Sequence, residues 1–370
     1  MNLQNLSDEE LLVLKNKTEN EISKYHNFQL VRKIQLNSAY GAIGNQYFRF
    51  YSTELAEAIT LSGQLIIQYI ANQLNTFLND ALGTFGKDFI IASDTDSVYI
   101  NMEEIKNKFC KSEDKQDQIN YIDNICNKIM TPFIEKQFNK LAERMNAFEN
   151  RIKMEREVIA DKGVWTAKKR YMLNVWDSEG IRYTEPKQKI MGIETTRSST
   201  PEIVREKLKK AINIILNGTE KELIIFVEKF KQEFFSLSAE KIAFPRSVNG
   251  MKKYSDKDQI YKKGTPIAVK GSLLYNHYLN KLKLNNKYNK ILEGEKVKFI
   301  YLKKPNPLAG YKGDDCVISF VKKLPVEFKV EKYIDYNLQF EKTFLDPLSI
   351  ILSVIGWSAE EKNTLEELFV

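Results

Sequence analysis

The 370-residue sequence predicts an α+β protein of two or three domains. Three observations carry that expectation. Two long helical periodicities open the chain, short apolar segments punctuated by turns occupy its centre, and helical spacing returns between Pro201 and Phe235.

The first helix is predicted over Asp8 to Gly41. Ser7 caps it, and Asp8, Glu9 and Glu10 lie in the first turn, where the helix dipole favours negative charge. Leu11, Leu12, Leu14, Ile22, Leu30, Ile34 and Leu36 make it partly amphipathic. A second helix runs from about Glu54 to Leu78, with Leu55, Ile59, Ile66, Ile70, Leu74 and Phe77 at helical spacing. Phe89 to Ala92 then forms a buried run, Asp94-Thr95-Asp96 marks a turn, and Val98 to Ile100 completes a hairpin with acids at its tip. A helical stretch from Ile122 to Met145 is expected to break or kink at Pro132. Strands are predicted at Ile152 to Ile159 and Trp165 to Trp176, the latter turning through Asp177-Ser178-Glu179-Gly180 into Ile181 to Thr184. From Pro201, behind Ser199 and Thr200, the spacing predicts helix to about Phe235, followed by a Lys-rich mixed segment and short closing helices.

Composition removes several function classes. With 43% hydrophobic and 28% charged residues, 16 Gly and 9 Pro, the chain is neither disordered nor fibrous. No apolar run approaches the ~20 residues needed to span a bilayer. The amino-terminal MNLQNLSDEELLVL is acidic where a secretory signal is basic, so nothing in it directs the chain out of the cytosol. Three scattered cysteines and two histidines leave little material for a disulfide framework, a His-rich zinc site or a Ser/His/Asp triad.

The net charge of +7 is concentrated. Arg246 to Lys304 holds fifteen Lys or Arg against four Asp or Glu, a local +11 that leaves −4 for the rest. Tyr254, Tyr261, Tyr275, Tyr278 and Tyr288 interleave with those cations. That mixture suits a surface that follows phosphates, or equally a solvated Lys-rich face.

Three clusters could carry chemistry. Asp94 and Asp96, two apart on an extended chain, place two carboxylates on one face, an arrangement that a hard divalent cation such as Mg²⁺ or Mn²⁺ relieves. An isolated Asp-x-Asp also reads as a solvated turn. Lys33, Asn37, Tyr40 and Gly41 fall at i, i+4, i+7 and i+8 of one helix and could hold a phosphate and a base, or form a polar face with a Tyr packing edge. Lys168-Lys169-Arg170 sets three cations in one strand beside aromatics, pointing alternately to opposite faces, although edge strands also use Lys to resist aggregation.

In this order the three pieces resemble the family B DNA polymerases, most closely the replicative enzymes of large tailed phages. Lys33-Ile-Gln-Leu-Asn37-Ser38-Ala-Tyr40-Gly41 is similar to the fingers motif KxxxNSxYG, and Asp94-Thr95-Asp96-Ser97 to the palm motif DTDS. Lys168-Lys169-Arg170-Tyr171 resembles the primer-binding KKRY, and Leu173-Asn-Val-Trp-Asp177 and Lys189-Ile-Met-Gly-Ile-Glu194 follow as in the family. Two departures stand out. Ala92 and Ser93 replace the usual Tyr-Gly before DTDS, and the family's DxxSLYPS motif, first fingers helix and proofreading exonuclease are absent from these residues.

The resemblance implies a right-hand architecture: partial fingers over residues 1–44, palm over 45–192, and a largely helical thumb with a clamp-binding tail over 193–370. It implies template-directed phosphoryl transfer with two Mg²⁺ ions, Mn²⁺ being possible, held by Asp96 and Asp94 with Glu157 as a further carboxylate. Lys33 would neutralise the triphosphate and supply a proton to the leaving group, Asn37 would bond a phosphate oxygen, and Tyr40 and Gly41 would pack on the nascent pair. Lys168, Lys169, Arg170 and Tyr171 would hold the primer, and Lys262 and Lys263 would follow duplex phosphates. The implied partners are primer-template DNA, deoxynucleotides, an amino-terminal polymerase half carrying DxxSLYPS and the exonuclease, and a sliding clamp, in the cytoplasm of an infected bacterium. Leu365, Leu368 and Phe369, at i, i+3 and i+4, resemble a clamp-docking tail, or pack as a terminal helix on their own thumb. A non-catalytic DNA-binding and clamp-docking remnant is the alternative reading of the whole chain.

Overall fold

A computed structural model describes residues 6–308 and 316–361. The protein is α+β, as expected, and divides into two compact units. The first draws on residues up to Asp114 and on Asn120–Glu155; the second takes Lys115–Ile119 and the chain from Arg156 onward.

In the first unit, α1 (Asp8–Ile43) starts at Ser7 with a full capping box, the Ser7 hydroxyl accepting from Glu10 N–H while Glu10 accepts from Ser7 N–H. None of its residues is buried. The stripe expected to be amphipathic therefore finds no core within the described residues. α2 (Thr53–Leu82) buries Ile70, Leu74, Leu78 and Leu82, a repeat of four that aligns one face over three turns. Gly83, with φ of 69°, ends it in a left-handed turn that costs glycine nothing. β1 (Ile90–Asp94) and β2 (Ser97–Ile100) pair antiparallel, and α3 (Glu103–Phe109) follows. α4 (Lys115–Ile125), whose first five residues belong to the second unit, runs through a π turn at Cys126–Met130 into α5 (Thr131–Arg144). That turn meets the problem posed by Pro132: Thr131 N–H reaches back to the Cys126 carbonyl, and Pro132 enters at the first turn of α5, where its missing N–H is tolerated. Ile70, Leu74, Leu78, Phe89, Ile105, Met130, Ile134 and Phe138 form this unit's core.

The second unit opens with an antiparallel sheet of β3 (Val158–Ala167), β4 (Arg170–Ser178) and β5 (Ile181–Met191). Two expectations are corrected here. Residues 151–157 are not a strand, because they have no ladder partner, and β3 begins at Val158. Trp165 to Trp176 is not one strand either: Ala167 pairs with Arg170 across a two-residue turn at Lys168-Lys169, so these lysines cap a hairpin rather than alternate along a strand. β5 also extends beyond Thr184 to Met191.

The helix expected from Pro201 to Phe235 is two helices, α6 (Glu202–Asn217) and α7 (Glu220–Phe235). Gly218 ends the first, and Thr219 with Glu222 forms a capping box that starts the second. Pro201, rather than Ser199 or Thr200, is the capping position of α6. Next come α8 (Ala239–Ile242), β6 (Phe244–Ser247), α9 (Met251–Tyr254), β7 (Ser255–Asp256), β8 (Ile260–Tyr261) and α10 (Ile267–Lys281). β9 (Lys296–Tyr301) lies between β6 and β10 (Val317–Phe320) in a second three-stranded antiparallel sheet, and α11 (Tyr336–Phe340) and α12 (Asp346–Ile355) follow, joined by a π turn. One core unites these elements, running from Met172 and Ile193 through Leu208 and Leu223 to Phe230, Phe234, Phe340 and Phe344. The phenyl rings of Phe230 and Phe344 meet edge to face at 4.8 Å. Among the described residues no helix is long and apolar enough to cross a membrane.

Candidate active site and nucleic-acid interface

The chain leading into β1 is held by α2. Asn75 accepts from Phe89 N–H and donates to Asp88 (both 2.8 Å), while Asn79 bonds both the N–H and the carbonyl of Lys87. Asn75, followed by the Ile90 N–H, holds the Asp88 carboxyl below the usual carboxylate range. These bonds fix the chain as it enters β1.

At the other end of β1, Asp94 pairs with Ser97, and Thr95-Asp96 is the connecting turn. The extended placement expected of Asp94 and Asp96 is thereby corrected: Asp94 closes a strand and Asp96 sits in the turn. Thr95 adopts φ of 54°, a region that β-branched residues avoid. Its hydroxyl donates to Asp94 Oδ1 at 3.0 Å, and Ser97 Oγ donates to the Asp94 carbonyl at 3.1 Å. Strain of this sort persists only where surrounding bonds impose it, and it gathers at functional tips. Two hard carboxylates suit Mg²⁺ or Mn²⁺, but they are a partial donor set. Among the described residues no group of three or more His, Cys, Asp or Glu could hold a metal ion.

Lys33, Asn37, Tyr40 and Gly41 lie on α1, whose helical hydrogen bonding continues past them to Ile43, so they do share a face. All four are exposed.

The Lys168-Lys169 turn is built by residues twenty or more positions away. Lys169 has φ of 62°. Gly192, with φ of 67°, lies so close that a Cβ on it would collide with the Lys169 carbonyl oxygen, so no other residue fits. Arg170 Nη2 lies 2.9 and 2.7 Å from the two carboxylate oxygens of Glu194. Tyr171 is buried and stacks on Trp165 across the hairpin at 6.1 Å. Both lysines remain exposed. The turn is thus a rigid support that presents two cations. Gly192 and Glu194 were visible only as part of a motif, and their role comes from tertiary proximity.

A second device stiffens the far end of the sheet. Asp177 is fully buried and bonded by Arg156, by Arg182 at 3.1 Å and by Gly180 N–H at 3.1 Å. Glu157 Oε1 lies 3.0 Å from Lys189 Nζ. Further along, Lys262 and Lys263 are exposed beyond β8; Lys262 N–H bonds the Tyr254 carbonyl at 2.9 Å, and its ammonium bonds the Lys253 carbonyl at 3.0 Å. Lys270 lies over the Tyr261 ring at 4.9 Å and Lys253 over Tyr254 at 5.3 Å. Leu365, Leu368 and Phe369 lie outside the described residues.

Comparison with known proteins gives the same assignment as these motifs. The model of DNA polymerase family B matches residues 10–352. The chain is 38% identical over 354 residues to the DNA-directed DNA polymerase of Enterobacteria phage T4, and 37% over 355 residues to that of Escherichia phage RB69. Each alignment covers 92% of this chain and 38% of the relative, so the chain spans well under half the length of these relatives. The DNA polymerase of Choristoneura biennis entomopoxvirus is 31% identical over 142 residues, 31% of this chain and 15% of the relative. With the family model matching nearly end to end and the motifs in family order, this chain belongs to DNA polymerase family B.

Proposed function

We propose that this chain is the carboxy-terminal portion of a replicative, DNA-directed DNA polymerase that extends a primer 3′-hydroxyl on a template, completed by an amino-terminal polypeptide. The observation that carries the reading is that each unit carries a built turn: the Asp94-Thr95-Asp96 tip in the first, and in the second the Lys168-Lys169 turn supported by Gly192 and Glu194. The first suits metal and triphosphate chemistry, the second a primer backbone. Fingers over residues 1–44, palm over 45–192 and thumb over 193–370 are the functional divisions of this reading.

In it, Asp94 and Asp96 hold Mg²⁺, with Mn²⁺ as a substitute, while Glu157, expected as a further carboxylate, pairs with Lys189 in the second unit and is left out of the metal set. Bound there, two such ions supply activation of the attacking hydroxyl and stabilisation of the leaving pyrophosphate. Lys33 sets a positive charge along the triphosphate and can donate a proton to the leaving group, and Asn37 donates to a phosphate oxygen. Tyr40 and Gly41 shape the pocket for the nascent base pair. Lys168, Lys169 and Arg170, supported by Tyr171, hold the primer, while Lys262 and Lys263 follow duplex phosphates.

The amino-terminal polypeptide brings the DxxSLYPS carboxylate and the exonuclease. Two observations support it. α1 has no buried residue, and the first unit exposes the large apolar side chains of Leu12, Phe28, Leu36, Tyr47, Phe50 and Leu55. The relatives also hold more than half their length outside the matched region. Leu365, Leu368 and Phe369 dock a sliding clamp, and the site of action is the cytoplasm of an infected bacterial host. Primer extension tests the reading, with the chain alone and then with the DxxSLYPS-bearing polypeptide. Restoration in the mixture supports it, and silence in both favours the non-catalytic DNA-binding remnant.

A further inference from the structure

The hairpin that carries Asp94 and Asp96 has little of its own to hold it. Its strands are five and four residues long, and none of those residues is buried. A two-stranded hairpin in water is marginally stable at best, so its direction is set by whatever grips its base. The base lies at Phe89, which is buried and whose carbonyl accepts from Asn101 N–H at 2.8 Å, closing the pair of strands. The Phe89 N–H is taken by the Asn75 side chain of α2 at 2.8 Å.

Asn75 and Asn79 stand one turn apart on α2, each directly after a residue of its buried stripe, Leu74 or Leu78. Asn79 accepts from Lys87 N–H at 3.0 Å, donates to the Lys87 carbonyl at 2.8 Å and accepts from the Thr84 hydroxyl at 2.9 Å. Asn75 also donates to Asp88 Oδ1 at 2.8 Å, and the same oxygen accepts from Ile90 N–H at 2.9 Å, so the grip passes to the first residue of β1. Residues 87 to 90 are thus held in succession by two amides. Asparagine is a weaker helix former than alanine, because its side chain competes for backbone bonds, so two of them inside α2 serve the chain they hold rather than the helix.

At ~3.3 Å per residue the far end of β1 stands about 16 Å from this grip, and a swing of about 5° at the base moves Asp94 by about 1.4 Å. Misplacement of reacting groups by about 1 Å costs a reaction about 100-fold. We propose that Asn75 and Asn79 are positioning residues of the polymerase reaction, holding residues 87–90 so that the β1–β2 hairpin carries Asp94 and Asp96 in one direction. The proposal rests on the DNA-polymerase reading above and deepens it. The tip supplies the carboxylates, and two amides at the opposite end of the strand supply their placement.

The test uses the full chain mixed with the DxxSLYPS-bearing polypeptide, for wild type, Asn75→Ala, Asn79→Ala, Asn75→Asp, the double variant Asn75→Asp with Asp88→Asn, and a control, Asn72→Ala, on the exposed side of α2. Two quantities are read: backbone amide exchange over residues 89–100 without metal, and the Mg²⁺ concentration that half-saturates primer extension. Asn75→Ala and Asn79→Ala should each speed exchange in the hairpin by about 10-fold while leaving Ile70 and Leu74 protected. They should also raise the Mg²⁺ requirement and lower kcat by about 10- to 100-fold, with little change in the KM for deoxynucleotide. Asn75→Asp sets a carboxylate against Asp88 and should be worse. Adding Asp88→Asn lets the same bond form with donor and acceptor exchanged, and should return both quantities to within about twofold of wild type. Asn72→Ala should match wild type. Unchanged hairpin exchange and Mg²⁺ requirement in both Ala variants, with wild type extending primers, overturns the positioning role and leaves the polymerase reading intact; so does a lower denaturation midpoint without either change. A double variant no better than Asn75→Asp also overturns it, since the bond itself is then not what matters. A wild-type mixture that extends no primer overturns the broader reading and the positioning role together.

Discussion

Arg170 and Glu194 meet at 2.9 and 2.7 Å, and two residues before Glu194 the Gly192 backbone presses on the Lys169 carbonyl. The two contacts explain each other. The Gly192 approach sets the path of the Lys168-Lys169 turn, and the ion pair holds the first residue after it, so a segment of four residues carrying three cations has a defined backbone. Phosphate binding by flexible lysines loses side-chain and loop entropy at each contact; a rigid turn reduces the loop part of that cost.

Gly192→Ala should therefore be severe. The left-handed φ alone costs a β-carbon-bearing residue about 1–2 kcal/mol, and the collision with Lys169 adds to it. Chemical denaturation should show a loss above 2 kcal/mol, and duplex affinity should fall with it. A variant as stable as wild type would contradict the close approach.

Glu194→Gln separates support from charge. It frees Arg170 and Arg197 from a carboxylate while keeping the shape, so stability should fall by about 1–2 kcal/mol, discounted because the pair is only partly buried. Duplex affinity at low salt should be maintained or rise, since a negative charge leaves a phosphate-binding surface. A fall in affinity at unchanged stability would assign Glu194 a direct contact instead.

Asp177→Asn probes the opposite end of the same sheet. Asp177 is fully buried, and the change leaves Arg156 and Arg182 without their counter-charge. Breaking such a pair by removing one member costs about 3 kcal/mol or more. The expected result is a lower denaturation midpoint with little change in the salt dependence of DNA binding, because these arginines serve the sheet.

The exposed apolar surface of the first unit makes its own prediction. The chain alone should bind an apolar fluorescent dye strongly, and addition of the amino-terminal polypeptide should quench most of that signal. Dye binding unchanged by that polypeptide would remove the support that α1 gives to a two-part enzyme.

Much of this was legible in the sequence, for physical reasons. Ser7 and its acidic first turn announce a helix start because that chemistry is local, and Ile70 and Leu74 announce a buried face because helical spacing is local too, although Leu78 rather than Phe77 completes it. The Asp94-to-Ser97 tip was read from its motif. The Lys168-Lys169 turn escaped because it contains no Gly, Asn or Pro to mark it; its left-handed residue is a lysine against which Gly192, just past β5, packs closely. The break at Gly218 was readable, since Thr219 and Glu222 form a capping-box pattern, but apolar spacing runs across it and hid the signal. Ile152 to Glu157 alternates like a strand but joins no β ladder, so tertiary context overrides the pattern. The reach of Arg246 to the Ser199 carbonyl lies beyond any window on the sequence, because only the fold brings β6 to the segment after β5.

The central claim is a site completed between two polypeptides, and one assay addresses it directly. Primer extension is measured with Mg²⁺ and the four deoxynucleotides, for this chain alone, for its mixture with the polypeptide carrying DxxSLYPS, and for the same mixture with Asp96→Ala. Asp96 is exposed in a turn, so its replacement should leave folding intact. The account predicts no extension from the chain alone, extension in the mixture, and a loss of about 1,000-fold or more with Asp96→Ala. Extension by the isolated chain, or undiminished extension by the Asp96→Ala mixture, would contradict it.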